Sequence, residues 1–201
     1  MAGVSLRKGG NVSLSKANDS AGSQIPLTKI LIGLGWQERV TSGDDFDLDA
    51  VAFLCSPANR VRSDADFIFY NQLVSTCGSV NHFGDERKGG GGSNDDSEMI
   101  EVDLNRLDRN VEKIVICVTI HDGVNKRQNF GMVDNAYIRL VNVVDEIEIL
   151  RYDLTEDASI ETAMIFGEIY RYQNEWKFRA VGQGFSGGLG PLARHYGVNI
   201  E

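Results

Sequence analysis

Hydrophobic positions along this chain recur in short runs that are rich in β-branched and aromatic residues. Several runs alternate strictly with polar residues; Ile100, Val102 and Leu104, for example, are separated by Glu101 and Asp103. A period of two is typical of a strand with one face in the core and the other in water. About ten strands are predicted in this way. They span residues 11–16, 29–36, 50–55, 67–70, 99–104, 113–119, 136–142, 146–153, 163–172 and 176–181.

Helical signals are few. Residues 157–161 fit a single turn, and residues 189–196 fit a short C-terminal helix after a glycine-rich stretch. Asn174 and Glu175 lie between two predicted strands and indicate a hairpin turn. We therefore predict an all-β fold that closes as a sandwich or a barrel. A single domain over residues 1–201 is the simplest organisation, although a two-lobed arrangement also fits.

Composition narrows the range of functions. The chain has 201 residues with 42% hydrophobic residues, enough to build a core, which excludes global disorder. Its formal net charge is -9, which opposes binding to phosphate backbones, so we expect no nucleic-acid partner. The most apolar stretch, residues 114–120, is far shorter than a membrane-spanning helix, and residues 1–15 lack the apolar segment of a signal peptide.

Cysteine usage points to a reducing compartment. The chain has three cysteines, Cys55, Cys77 and Cys117, an odd number without C-x-x-C spacing. We expect them to be ordinary thiols in a soluble, cytoplasmic protein.

The negative charge is concentrated in two stretches. Residues 43–50 carry four carboxylates, and residues 82–98 carry five carboxylates against two basic side chains and include the run Gly89–Gly92. Together they account for seven of the nine excess negative charges. Carboxylates at such density repel one another unless a cation lies between them, and Ca²⁺ accepts the irregular oxygen geometry that glycine-rich loops supply. Simple solvation of acidic loops is the alternative, and Mg²⁺ is a less favoured ion.

Strand geometry decides which acids in the first stretch converge. On a straight strand Asp47 and Asp49 leave the same face about 6.6 Å apart, while Phe46 and Leu48 point to the core. An EF-hand fits poorly, because Ala50 stands where that loop needs glycine.

Signals for catalysis are weak. Residues 182–187 satisfy G-x-G-x-x-G, but too few residues follow for a second parallel strand, so close backbone packing is the better interpretation. His82, His121 and His195 have no zinc-ligand spacing. His121 and Asp122 could belong to a triad, but no serine stands in a nucleophile elbow. Catalysis therefore has no positive support in the sequence.

Separated blocks along the chain carry a more specific resemblance. They include Leu34-Gly35-Trp36, Phe46-Asp47-Leu48-Asp49-Ala50, Phe67-Ile68-Phe69-Tyr70-Asn71, Gly84-Asp85, Val102-Asp103-Leu104, Gln128-Asn129-Phe130-Gly131 and Trp176 to Phe185. In these blocks, and from Val4 to Ile200 as a whole, the sequence resembles the TerD family of tellurium-resistance and stress-response proteins. The resemblance implies a calcium-binding β-sandwich of two packed sheets, located in the bacterial cytoplasm, with no settled enzymatic activity.

The resemblance also implies a set of metal ligands for one or two Ca²⁺ ions. These are Asp47, Asp49, Asn71, Asp85, Asp95, Asp96 and Glu98. The sequence departs from the family where Glu86 follows Asp85 and where Ser97 separates Asp96 from Glu98. Asp44 and Asp45 fall in a variable part of the family and are at best secondary ligands.

The leading hypothesis is a non-enzymatic binding module whose two acidic loops are ordered by Ca²⁺. The expected partners are other proteins of tellurite-resistance operons, with a membrane-associated complex as a further alternative. Two other hypotheses stay open. One is a metal-dependent or thiol-based enzyme that detoxifies tellurium oxyanions, and the other is an interaction module that binds no metal.

Overall fold

The structure is a computed structural model that describes residues 3–38, 46–84, 96–154 and 160–200. Its strands are β1 (Val4–Leu6), β2 (Asn11–Ser13), β3 (Lys29–Glu38), β4 (Leu48–Cys55), β5 (Phe67–Ile68), β6 (Val80–His82), β7 (Glu98–Asp103), β8 (Lys113–Ile120), β9 (Val133–Asn142), β10 (Ile147–Asp153), β11 (Ala163–Tyr172) and β12 (Glu175–Phe185). The helices are α1 (Leu14–Ser20), α2 (Gly123–Lys126) and α3 (Leu189–His195), with 3-10 turns at Asp64–Asp66 and Phe130–Met132.

Two six-stranded sheets pack face to face and confirm the predicted all-β sandwich. Sheet 1 has the order β1-β10-β9-β3-β7-β6, and sheet 2 has the order β2-β12-β11-β8-β4-β5. All named pairs are antiparallel except β1 with β10, which is parallel. The prediction missed β1 and β6, because three residues are too few to show alternation.

One predicted strand is wrong in its second half. The chain is extended only over Asn11–Ser13 and then forms α1, whose residues Leu14 and Ala17 are buried. Their spacing of three places both side chains on one helical face, where they join the main core. The alternation of apolar and polar residues predicted a strand over residues 14–16. The helix forms there instead, because it packs Leu14 and Ala17 against the sandwich.

The main core lies between the sheets and is built from alternate residues of each strand. Ile30, Ile32 and Leu34 of β3 face Ala50 and Ala52 of β4, all fully buried in one cluster. Leu48 belongs to the same cluster, and Phe46 packs against it. The prediction that this pair points to the core is therefore confirmed.

A second cluster covers the outer face of sheet 2. The C-terminal segment supplies Leu192, Ala193, Tyr196 and Val198, which pack on residues of β4, β8 and β11. The aromatic ring of Tyr196 stacks on Phe53 with 4.7 Å between centroids. The predicted C-terminal helix is confirmed as α3, and its role is to bury this outer face.

The β11–β12 hairpin turns at residues 173–174, one residue earlier than predicted, because Tyr172 pairs with Glu175. The glycine motif at residues 182–187 begins inside β12, an antiparallel strand, so it is not a dinucleotide fingerprint. Close packing is the reason for Gly184, where an added Cβ would come within 2.3 Å of the Glu161 side chain. The single turn predicted at residues 157–161 lies mostly outside the described residues.

Candidate metal centre

The flanks of both acidic stretches lie at one end of the sandwich. In sheet 2, β4 begins at Leu48 opposite Ile120, the last residue of β8. In sheet 1, β7 begins at Glu98 opposite Leu34 of β3. A hydrogen bond between His82 of β6 and the Ala50 carbonyl of β4, 2.9 Å long, joins the two sheets at this end. The fold therefore places the start of β4 and the start of β7 close to one another.

Asp47 and Asp49 lie at this end, on either side of Leu48, the first residue of β4. The carbonyl oxygen of Asp47 accepts a 2.7 Å hydrogen bond from the backbone N–H of His121, which fixes the chain just before β4. Asp49 lies opposite Thr119 and faces away from the main core, on the outer side of sheet 2. Asp47 is exposed and Asp49 is half-buried.

A cleft of about 210 Å³ opens beside Asp49. Asp49, Thr119 and Asp122 line it together with the glycines that precede α3. Asp122 has a left-handed backbone conformation with φ of 54°, and the Asn125 amide donates a 2.5 Å hydrogen bond to its Oδ1. Oxygen donors from β4 and from the loop after β8 thus line the same cleft. The sequence alone gave Asp122 no role in metal binding, since 73 residues separate it from Asp49 and only the β4–β8 pairing brings the two strands together.

Asn71 lies at the edge of this region. It is exposed in the turn that follows β5, while its neighbour Tyr70 lines the cleft and is 44% exposed. Of the block Phe67–Asn71, Tyr70 therefore lines the cleft, and Asn71 is its neighbour in the chain.

Asp96 occupies a different place, on the outer face of sheet 1. Its side chain is 4% exposed and accepts hydrogen bonds at 2.7–3.1 Å from the guanidinium of Arg139. The Tyr137 hydroxyl donates a further bond of 2.9 Å. Gly33 lies directly beneath, where an added Cβ would come within 2.3 Å of Asp96 Oδ2. The Asp96 carboxylate thus accepts hydrogen bonds from a charged group, the Arg139 guanidinium, and from a neutral group, the Tyr137 hydroxyl. Sequence reasoning did not identify Arg139 or Tyr137, because both are contributed by β9.

Glu98 is buried and faces the main core. Its side chain is 5% exposed, and Oε2 lies 3.3 Å from Nε2 of His82, whose side chain is 2% exposed. The structure thus separates the predicted ligands of the second stretch, since Asp96 and Glu98 point to opposite faces of sheet 1.

Asp44, Asp45, Asp85 and Asp95 lie outside the described residues. Within the ranges that the structure describes, no group of three or more His, Cys, Asp or Glu side chains is arranged to hold one metal ion. The ligand set inferred from the sequence therefore stays a prediction.

The three cysteines differ in environment. Burial raises the pKa of the Cys55 thiol to about 12 and raises the pKa of Cys117 well above its usual range. Partial burial also raises the pKa of Cys77, but hydrogen bonds with Ser79 and Ser75 outweigh it, and the net pKa is lowered. All three thiols are free, and two of them are buried.

Comparison with known proteins identifies the family. The TerD domain profile matches residues 1–196. The chain is 55% identical to tellurium resistance protein TerD of Serratia marcescens over 98% of this chain and 99% of that protein. It is 46% identical to general stress protein 16U of Bacillus subtilis (strain 168), with 98% of each chain covered.

A solved structure shares the fold. The crystal structure of a homologue of telluride resistance protein TerD from Streptomyces coelicolor A3(2) superposes with a TM-score of 0.65 at 21% identity, covering 84% of this chain and 96% of that one. In the described ranges, no helix has the length and apolar character needed to cross a bilayer. With a family match across nearly its whole length, this chain belongs to the TerD family of tellurium-resistance and stress-response proteins.

Proposed function

We propose that this chain is a Ca²⁺-binding stress-response module that acts by binding and not by catalysis. The observation that carries the proposal is the cleft beside Asp49, where carboxylates from β4 and from the loop after β8 meet at one end of the sandwich. Hard divalent cations prefer oxygen ligands of this kind, and Ca²⁺ tolerates the irregular geometry of loops. Both acidic stretches lead into this same end.

Within this proposal the predicted ligands have different roles. Asp47 and Asp49 bind the ion, and Asp122 adds an oxygen that the sequence did not reveal. Asn71, Asp85 and Asp95 keep their predicted roles as ligands. Glu98 also stays a predicted ligand, but its side chain faces the main core and does not line the cleft beside Asp49. Asp96 stabilises sheet 1 through Arg139, since its oxygens already accept bonds from that guanidinium and from Tyr137.

Calorimetric titration of chelator-stripped protein with Ca²⁺, and separately with Mg²⁺, tests this function. We expect Ca²⁺ binding that the Asp47→Asn, Asp49→Asn variant loses, because the variant removes the two charges at the start of β4. A hundredfold excess of Ca²⁺ over Kd should stabilise the unmodified protein by about 2.7 kcal/mol. For a chain of this length that corresponds to a rise of roughly 5–10 °C in Tm.

The matched control is Asp19→Asn, Glu146→Gln, which removes two exposed carboxylates far from this end of the sandwich. It should bind Ca²⁺ like the unmodified protein, which separates loss of ligands from loss of net charge. Unchanged affinity in the Asp47, Asp49 variant would contradict the proposal, as would unmodified protein that gives no heat with Ca²⁺.

We further propose a cytoplasmic location and partners among other proteins of tellurite-resistance operons. The support is family membership, together with relatives named for tellurium resistance and general stress. An ion that orders the acidic end would create a surface there for a partner to recognise. Calcium-dependent capture of a purified operon protein, absent with the Asp47, Asp49 variant, is the expected result.

A thiol-based reaction with tellurium oxyanions is the second candidate, and one observation favours it. Cys77 is partly exposed, and its Sγ lies 2.9 Å from the Ser79 hydroxyl, which favours the thiolate. The buried thiols Cys55 and Cys117 have raised pKa values and stay protonated near neutral pH. Any thiol chemistry of the folded protein would therefore use Cys77.

Reaction with an aromatic disulfide reagent at about pH 8 should show one fast thiol, lost in Cys77→Ser, and two thiols that react only after unfolding. A raised pKa leaves little thiolate below it, so Cys55 should gain reactivity only as the pH approaches about 12. Under the binding proposal, tellurite resistance of cells carrying Cys77→Ser stays intact. Loss of resistance in that variant, with Ca²⁺ affinity unchanged, would favour the thiol route instead.

A further inference from the structure

His82 has contacts with the flanks of both acidic stretches. Its ring is 3% exposed and lies between the two sheets. The backbone N–H of Gly84 donates a 2.8 Å hydrogen bond to Nδ1. Because Nδ1 accepts, the ring proton is on Nε2, which donates the 2.9 Å bond to the Ala50 carbonyl. Nε2 also lies 3.3 Å from Oε2 of Glu98.

The bond to Ala50 replaces a missing strand pairing. β5 pairs with β4 only at Ala52 and Phe53, so it stops before Ala50. A buried carbonyl at such a position needs another donor, and the imidazole of His82 supplies it from the opposite sheet. The histidine thereby fixes the free edge of β4 next to Asp49.

The bond to Gly84 fixes the beginning of the second stretch. Gly84 has φ of 63°, a left-handed conformation, and it directly precedes Asp85 in the sequence. The third neighbour of the ring, Glu98, is the last acid of that stretch. The buried side chain of His82 therefore contacts three residues. They are Ala50, which follows Asp49, Gly84, which precedes Asp85, and Glu98.

We propose that His82 is a positioning residue that holds Ala50, which follows Asp49, and Gly84, which precedes Asp85, at a fixed separation, so that these flanks of the two acidic stretches are already in place when Ca²⁺ binds. This inference rests on the proposed Ca²⁺ function. His82 does not bind the ion; it acts through the backbone of Ala50 and Gly84. Its removal should therefore lower Ca²⁺ affinity and loosen Gly84 while every ligand is still present.

Three variants separate the two bonds. His82→Asn keeps an acceptor near the position of Nδ1, His82→Gln keeps a donor near the position of Nε2, and His82→Leu keeps neither. Asn142→Ala is the matched control, because Asn142 is a fully buried polar residue at the far end of β9 that donates hydrogen bonds to Asn18 and to the Ile25 carbonyl. It should destabilise the protein to a similar degree without touching the acidic end.

Two readouts are needed, Ca²⁺ affinity by calorimetry and amide hydrogen exchange of Gly84 in metal-free protein. We expect each lost bond to weaken Ca²⁺ binding about fivefold, the factor that corresponds to the net free energy of one intramolecular hydrogen bond. His82→Leu should thus lose about 25-fold by the same reasoning, and Asn142→Ala should lose nothing. Gly84 should be protected in the unmodified protein and in His82→Asn, and should exchange rapidly in His82→Leu.

The outcomes distinguish the two proposals. Unmodified protein that binds no Ca²⁺ would overturn the proposed function and this inference together. Ca²⁺ binding that is equally strong in unmodified protein and in His82→Leu would overturn the positioning role alone. An equal loss of affinity in His82→Leu and Asn142→Ala would also overturn it, since general destabilisation would then explain both.

Discussion

Replacing Arg139 with methionine is expected to lower the free energy of unfolding by about 3–5 kcal/mol. The reason is the carboxylate of Asp96, which is 4% exposed and loses its charged partner. Hydrogen bonds to Asp96 raise the pKa of the Arg139 guanidinium, so this side chain keeps its positive charge in the folded protein. Urea unfolding followed by circular dichroism measures the change, which corresponds to roughly 6–20 °C in Tm.

A double variant isolates the cause of this loss. Adding Asp96→Asn to Arg139→Met removes the uncompensated charge, and the bond from the Tyr137 hydroxyl can still be accepted by the amide oxygen. We expect the double variant to be more stable than Arg139→Met alone. If the two changes were simply additive, the buried ion pair would not explain the effect. Ca²⁺ affinity should be unchanged in Asp96→Asn, which distinguishes a structural role from that of a ligand.

Tyr196→Ala is expected to destabilise the protein by about 3–5 kcal/mol, the usual effect of removing a buried aromatic ring. Tyr196 is 2% exposed and stacks on Phe53, which stacks in turn on Phe67 at 4.8 Å. Its backbone carbonyl also accepts a 2.9 Å bond from Val61. The ring joins the C-terminal segment to the outer face of sheet 2 by stacking on Phe53, so its loss should free that segment. Thermal unfolding and hydrogen exchange of residues 189–198 would report both effects.

Tyr196→Phe is the control for this prediction. Phenylalanine keeps the stacked ring and removes only the hydroxyl, so the free energy of unfolding should change by less than about 1.5 kcal/mol. Equal destabilisation by phenylalanine and alanine would show that the hydroxyl, and not the stacking, holds the C-terminal segment in place.

Much of the fold could be predicted because the strands carry their own pattern. β7 alternates Ile100 and Val102 with acids, and the structure buries the first set and half-exposes the second. β4 is harder to read, since nearly all of its residues are buried: one face lies in the main core and the other lies beneath the C-terminal segment. Its inner and outer faces are therefore both apolar, and alternation no longer distinguishes them.

The candidate site, like the fold, could be predicted from the sequence only in part. The orientation of Asp47 and Asp49 relative to Phe46 and Leu48 follows from a period of two within one strand. The separation of Asp96 from Glu98 does not follow from this period, which would place residues two apart on one face. β7 begins only at Glu98, and a bend at Ser97 carries the preceding Asp96 to the outer face of sheet 1. An acidic cluster that looks continuous in the sequence is thus divided where the chain enters the strand.

The sequence by itself determined the fold class, the family and the concentration of acids in two stretches, because alternation, composition and local motifs are properties of neighbouring residues. Only the tertiary structure decided which of those acids meet. The pairing of β4 with β8 brings Asp122 to Asp49, β9 brings Arg139 to Asp96, and β6 brings His82 to Ala50. These partners are separated by 32 to 73 residues, and contacts over such separations are fixed by strand order and register, which no local pattern records.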